Sequence, residues 1–215
     1  MAKPIVELDF IADVTCPWCY VSYLNLARAI EVLDDKLDIT LTWQPFELSV
    51  DLPESGVPLP LFLDKRYGLT PEQITAQFEQ LSQLALSANG EINFDSSSMI
   101  YNTRKAHILL LWAIESGLQH ALKVALFEAY FSHGENIEDH DVLKRCCKKV
   151  GLPGDDVESV LSSEEWNKKV EDQELQWLSL GVHAVPALVV NQQHLISGSQ
   201  TKEIFIEALQ DLVFA

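Results

Sequence analysis

Strand-like sequence is confined to the two ends of this chain, and what lies between them reads as helix. Residues 6–14 (VELDFIADV) mix β-branched and aromatic residues with alternating polar positions, the pattern of a strand. From Trp18 onward Val21, Leu24, Ala27 and Ile30 recur at helical spacing. Residues 38–44 (DITLTWQ) alternate again, and Pro45 ends that strand. At the far end, Ala187-Leu188-Val189-Val190 is a short buried run, Asn191-Gln192-Gln193 a turn and His194-Leu195-Ile196-Ser197 a returning strand. A last amphipathic helix carries Phe205, Ala208, Leu209 and Leu212. A split βαβ/ββα unit with a long helical stretch inside it reads as one α/β domain, residues 1–48 and 180–215, interrupted by an inserted helical domain, residues 49–179.

Within the insertion, Thr70-Pro71-Glu72-Gln73 is a capping box with proline at the first helical position, followed by Ile74, Phe78, Leu81 and Ala85 on one face. The pattern predicts a second helix from near Asn102 to Gly117, a third from Gln119 to Phe131 and a fourth from Asp139 to Val150, stopped by Gly151. Ser162-Ser163-Glu164-Glu165 reads as a second capping box, opening a helix with Trp166, Val170 and Trp177 that Gly181 closes. Residues 53–60, with Gly56 and three prolines, read as loop.

Cys16-Pro17-Trp18-Cys19 sits at the junction of the first strand and helix. Pro17 suits a first helical position, since its φ is pre-set and its missing N–H costs nothing there. Cys16 then stands at the positive end of a helix, where unpaired N–H groups favour the thiolate that attacks disulfides. Cys19 follows one turn later, completing a dithiol/disulfide switch. Pro17-Trp18 offers no cation, so Cys16 is expected to rely on helix-end donors and to have an intermediate potential. A closed zinc site needs four ligands, and the remaining cysteines, Cys146 and Cys147, are adjacent in a helical pattern with side chains about 100° apart. No metal is expected, and Cys146 and Cys147 read as small buried hydrophobes beside Leu143 and Val150. Val185-Pro186 opens the strand Ala187–Val190; a proline there marks an edge, a bend or a cis bond.

The net charge of −17, from 32 acidic and 15 basic residues, disfavours nucleic acid and acidic membrane surfaces as partners. The longest apolar run, Ile108 to Ile114, is too short to span a membrane. The N-terminus lacks the basic and apolar regions of a secretory signal, so the expectation is a cytoplasmic protein, a monomer or weak dimer, with one working cysteine pair.

The chain resembles the DsbA-type branch of the thioredoxin superfamily, in which a helical domain interrupts the thioredoxin fold. Within it the chain is most similar to the FrnE-like oxidoreductases, relatives of the 2-hydroxychromene-2-carboxylate isomerases and kappa-class glutathione transferases. The matching stretches are Cys16-Pro17-Trp18-Cys19-Tyr20, Trp43-Gln44-Pro45-Phe46-Glu47-Leu48, Asn102-Thr103-Arg104-Lys105-Ala106-His107, Leu126-Phe127-Glu128-Ala129-Tyr130-Phe131, Gly181-Val182-His183-Ala184-Val185-Pro186 and Ser197-Gly198-Ser199-Gln200. The resemblance implies that Cys16 is the nucleophile, Cys19 the resolving thiol and Pro186 a cis-proline facing them. The isomerase and transferase relatives carry serine at the position of Cys16, so two cysteines here favour dithiol–disulfide exchange.

The expected activity is therefore a thiol–disulfide oxidoreductase acting on protein or small-molecule thiols and disulfides, with Pro17, Trp18 and Val185 contacting substrate. No cofactor is expected, and glutathione is a candidate co-substrate. The rivals are a glutathione-dependent isomerase or transferase and a redox-sensing chaperone. Asn102 is read as an N-cap accepting from the amide of Arg104 or Lys105, with a contact in the cleft as the alternative. His107 is read as a hydrogen-bonded core histidine rather than a base.

Overall fold

A computed structural model of the chain describes residues 3–214. β1 (Ile5–Ala12) is followed by α1 (Pro17–Leu33) and by β2 (Asp38–Pro45), which pairs parallel to β1 from Ile5 opposite Asp38 to Ala12 opposite Pro45. From the far end of the chain, β5 (Ala187–Val190) pairs antiparallel with the other edge of β1, and β6 (His194–Ser197) pairs antiparallel with β5. The sheet order is β2-β1-β5-β6, so both ends of the chain build one α/β sheet as the alternation predicts. β1 is central, and Val6, Leu8, Phe10, Ile11 and Ala12 are all buried, as a strand covered on both faces requires. α9 (Lys202–Phe214) packs on α1.

The stretch between β2 and β5 is almost wholly helical. It contains α2 (Leu59–Tyr67), α3 (Pro71–Ser87), α4 (Arg104–Trp112), α5 (Gln119–Phe127), α6 (His140–Lys149), α7 (Val157–Leu161) and α8 (Glu164–Ser179). A 3-10 turn, Ala113–Ser116, extends α4 to the left-handed Gly117, and a π turn, Glu128–Ser132, extends α5. The predicted capping box of α3 is present: Thr70 Oγ1 accepts the Gln73 amide and Gln73 Oε1 accepts the Thr70 amide.

Three local expectations are corrected. Residues 57–58 form a short strand, β3 (Val57–Pro58), paired with β4 (Met99–Ile100), and α2 starts at Leu59 inside the stretch read as loop. Pro60 misleads there because it lies in the first turn, where proline is tolerated. α8 is capped one residue later than predicted, by Ser163, whose side chain accepts the Trp166 amide; Glu165 is then out of register for the reciprocal bond. Asn102 Oδ1 does accept the Arg104 amide at 2.8 Å, but the helix cap itself is Thr103.

An aromatic cluster ties the insertion to the sheet. Phe127 of α5 lies with its ring centroid 5.0 Å from Tyr20 of α1 and 5.7 Å from Trp43 of β2. Trp43 in turn meets Phe10 of β1 at 5.0 Å and Tyr23 of α1 at 5.1 Å. Phe127 has no exposed surface, so Phe127→Ala should cost about 3–5 kcal/mol, against about 1 kcal/mol for loss of the exposed Thr70 cap in Thr70→Ala. Urea denaturation of the two variants checks the order.

Candidate active site

With Pro17 at the first helical position, Cys16 becomes the N-cap of α1 in an extended conformation, φ −80° and ψ 109°. Its sulfur takes the place of the usual capping oxygen and accepts the Cys19 N–H at 3.3 Å, while its carbonyl accepts the Tyr20 N–H at 3.1 Å. The cap thus aims one helix-end donor at the sulfur. Cys19 is 0% exposed and Cys16 4%, so Cys16 is the outer thiol. The sulfur opens into a cavity of ≈ 470 Å³ lined by Cys16, Pro17, Trp18 and Val185, with Leu59 and Phe62 of α2 and Phe78 of α3 across from them. None of the side chains lining that cavity is charged. A larger depression of ≈ 1060 Å³ between α2 and α3 contains none of the cysteines.

The Val185–Pro186 peptide is cis, and the Pro186 carbonyl accepts the Gly198 N–H at 2.9 Å. The structure therefore brings Cys16, Pro17, Trp18 and Val185 to one cavity, with Cys19 behind Cys16 and Pro186 buried next to Val185. Cys146 and Cys147 are buried on α6, where burial pushes their thiols up to about 11 and about 12. Among the described residues no group of three or more His, Cys, Asp or Glu side chains is arranged to hold a metal.

Under the end of β1 lies a set of buried ionisable groups, of which the sequence reading weighed only His107. Lys123 of α5 has no exposed surface and donates to the Ala12 carbonyl at 3.3 Å. Asp13, in the turn after β1, accepts the Leu48 N–H at 2.7 Å and faces His107 Nε2 at 3.5 Å. Burial raises the Asp13 carboxyl, but His107 and the Leu48 amide outweigh it and hold it below the usual carboxylate range. His107 is in the core as expected, paired with a carboxylate that the sequence reading did not assign. Further out, Arg104 pairs with Glu47 and reaches Glu174 at 3.7 Å, and Glu174 accepts the Glu47 amide at 2.8 Å. Burial first, then repulsion from Glu174, lifts the Glu47 carboxyl to about 7. Segments far apart in sequence meet here, so no spacing rule could have found the group.

Residues 7–210 match the family model of the DSBA-like thioredoxin domain. The uncharacterized protein YwbO of Bacillus subtilis (strain 168) is 26% identical over 208 residues, covering 96% of each chain. The crystal structure of probable DsbA oxidoreductase SCO1869 from Streptomyces coelicolor superposes with a TM-score of 0.88 at 26% identity, over 96% of this chain and 89% of that one. The cytosolic disulfide reductase DsbM from Pseudomonas aeruginosa, solved with GSH, shares the fold at a TM-score of 0.63 and 19% identity, over 97% of this chain and 100% of that one.

Two outcomes test the site's chemistry. Iodoacetamide at neutral pH should modify Cys16 ahead of Cys19, Cys146 and Cys147, read by peptide mass spectrometry; earlier modification of any other cysteine would contradict the geometry. Glu47 holds a proton in the folded protein that the unfolded chain releases near its ordinary value of 4.5, so its contribution to stability falls as pH rises from 4.5 to about 7. Glu47→Gln should flatten that part of the stability–pH curve, measured by urea denaturation across the window.

Proposed function

The chain belongs to the DSBA-like thioredoxin-domain family, and on that premise we propose that it is a thiol–disulfide oxidoreductase working through the Cys16–Cys19 dithiol. The observation that carries this reading is the Cys16 sulfur itself, capping α1 at the wall of a cavity with Cys19 one turn behind it. Cys16 as thiolate attacks one sulfur of a substrate disulfide; that S–S bond breaks and the first substrate thiolate leaves. The Cys19 thiol then loses its proton and attacks the Cys16 sulfur, the mixed disulfide breaks, and the second substrate thiolate leaves. The substrate gains two electrons and the enzyme holds a Cys16–Cys19 disulfide; the same steps in reverse oxidise a dithiol.

Val185 offers backbone to an extended substrate beside the thiol, and Pro186 keeps a side chain and an N–H out of the reacting space. The reaction needs no metal or organic cofactor, and glutathione serves as an external thiol that resets the pair, in line with the glutathione-bound DsbM relative. A glutathione-dependent isomerase would have to bind the tripeptide's carboxylates, and the uncharged cavity lining gives them no cationic partner. The proposed setting is the cytoplasm. Among the described residues no helix is long and apolar enough to cross a membrane, and DsbM is described as cytosolic.

The reading predicts catalysis of insulin reduction by dithiothreitol, falling to the uncatalysed rate in Cys16→Ser. Cys19→Ser should instead accumulate a mixed disulfide on Cys16, visible by non-reducing electrophoresis and mass spectrometry. Full activity in Cys16→Ser would refute the assignment.

A further inference from the structure

The insertion holds a second space beside the Cys16 cavity. It is the depression of ≈ 1060 Å³ between α2 and α3, and Leu69, Phe78 and Phe94 line both spaces. The two therefore adjoin across one layer of side chains, a distance that a few extended residues at ~3.3 Å each would span.

The floor of the depression is apolar and held in place. Ile74 and Phe78 lie four apart on the buried face of α3, and Ile92 and Phe94 come from the irregular segment between α3 and β4. Phe78 and Phe94 meet with ring centroids 5.3 Å apart, and Phe94 rests on Tyr130 and Phe131 at 5.9 and 5.7 Å. Asn93 clamps that segment to the π turn after α5. Its amide N–H donates to the Phe131 carbonyl and its Nδ2 to the Ser132 carbonyl, both at 2.9 Å. Leu61, 44% exposed, stands at the rim.

Charge is distributed unevenly round this floor. Asp64 of α2, Glu79 of α3 and Asp95 line the depression, one from each of three segments, and no lysine, arginine or histidine among the described residues joins them. α2 does carry two cations, Lys65 and Arg66, but they line a separate depression with Asp51 and Phe62. An apolar floor ringed by carboxylates suits a ligand that is both apolar and positively charged, and it repels anions. A second copy of this chain, at net −17, fits it badly.

We propose that this depression docks the substrate polypeptide: it takes an apolar segment bearing Lys or Arg, a few residues from the disulfide that Cys16 attacks. This rests on the dithiol reading above and specifies its substrate as a protein with basic, apolar sequence near the cysteine. The docked segment lies away from the reacting sulfurs, so its contribution falls on KM. A small disulfide occupies the Cys16 cavity alone and gains nothing from the depression.

Steady-state reduction of synthetic peptide disulfides tests this, with dithiothreitol as reductant and hydroxyethyl disulfide as the small reference substrate. Three peptides share one cysteine segment and differ in the tail, which alternates Lys with Leu, Glu with Leu, or Lys with Ser. At low salt kcat/KM for the Lys/Leu tail should exceed both others by about tenfold or more, through KM, and its lead over the Glu/Leu tail should shrink at about 0.5 M salt. Asp64→Asn combined with Glu79→Gln should remove most of the charge preference. Thr75→Trp, which puts an indole into the depression from an exposed position of α3, should remove the apolar preference as well. Both variants should reduce hydroxyethyl disulfide at the wild-type rate. Equal kcat/KM for the three tails, a preference that survives both variants, or a wild-type dimer that Thr75→Trp makes monomeric in sedimentation would overturn the proposal and leave the dithiol reading standing. Should Thr75→Trp fail to fold, the surface pair of amide substitutions decides alone. Reduction of neither the peptides nor hydroxyethyl disulfide by wild type would overturn the dithiol reading itself.

Discussion

The backbone of Trp43 is where the two parts of the molecule are joined. β2 is an edge strand, and an edge leaves N–H and C=O groups without a ladder partner. At Trp43 one side chain takes both: Gln119 Oε1 accepts the amide at 3.0 Å and Gln119 Nε2 donates to the carbonyl at 2.8 Å. The Trp43 indole N–H also faces His120 Nδ1, at 3.3 Å. Gln119 and His120 open α5, so these bonds fix an inserted helix against the sheet. Lys123 comes one turn later on the same helix and is carried under the end of β1. Edge protection and the placement of a buried cation are one arrangement.

The α/β frame was legible because its signals are local. Alternation marks β1 and β2, a short apolar run followed by a turn marks β5 and β6, and the Cys-Pro-Trp-Cys stretch marks the junction where Pro17 starts α1. Thr70 and Gln73 announce α3 by residues three apart. What stayed hidden depends on contacts between distant segments. Lys123 in a helical pattern reads as a solvated charge, and nothing near it in sequence shows that Ala12, Trp43 and Phe127 enclose it. Pro17-Trp18 offers no cation, as the sequence shows, and the buried Lys123 of α5 meets the Ala12 carbonyl under the end of β1. α2 was missed for a different reason, a proline in its first turn, and with it went part of the wall of the cavity facing Cys16.

The site divides into two environments separated by the dithiol. On the outer side Cys16 meets an uncharged cavity walled by α2 and α3, while Cys19, Asp13, His107 and Lys123 are all buried. The acidic exterior, net −17, does not enter the cavity lining. The insertion serves both sides, with α2 and α3 closing the cavity and α5 delivering the buried lysine.

The central claim is that Cys16 and Cys19 form one two-electron couple. Equilibration of the protein with graded ratios of oxidised and reduced dithiothreitol, followed by acid quench, alkylation and peptide mass spectrometry, tests it most directly. The account predicts that Cys16 and Cys19 lose alkylation together along a single two-electron transition, about 30 mV per tenfold change in the ratio, while Cys146 and Cys147 stay thiols throughout. A transition that pairs Cys146 with Cys147, or that oxidises Cys16 without Cys19, would contradict it.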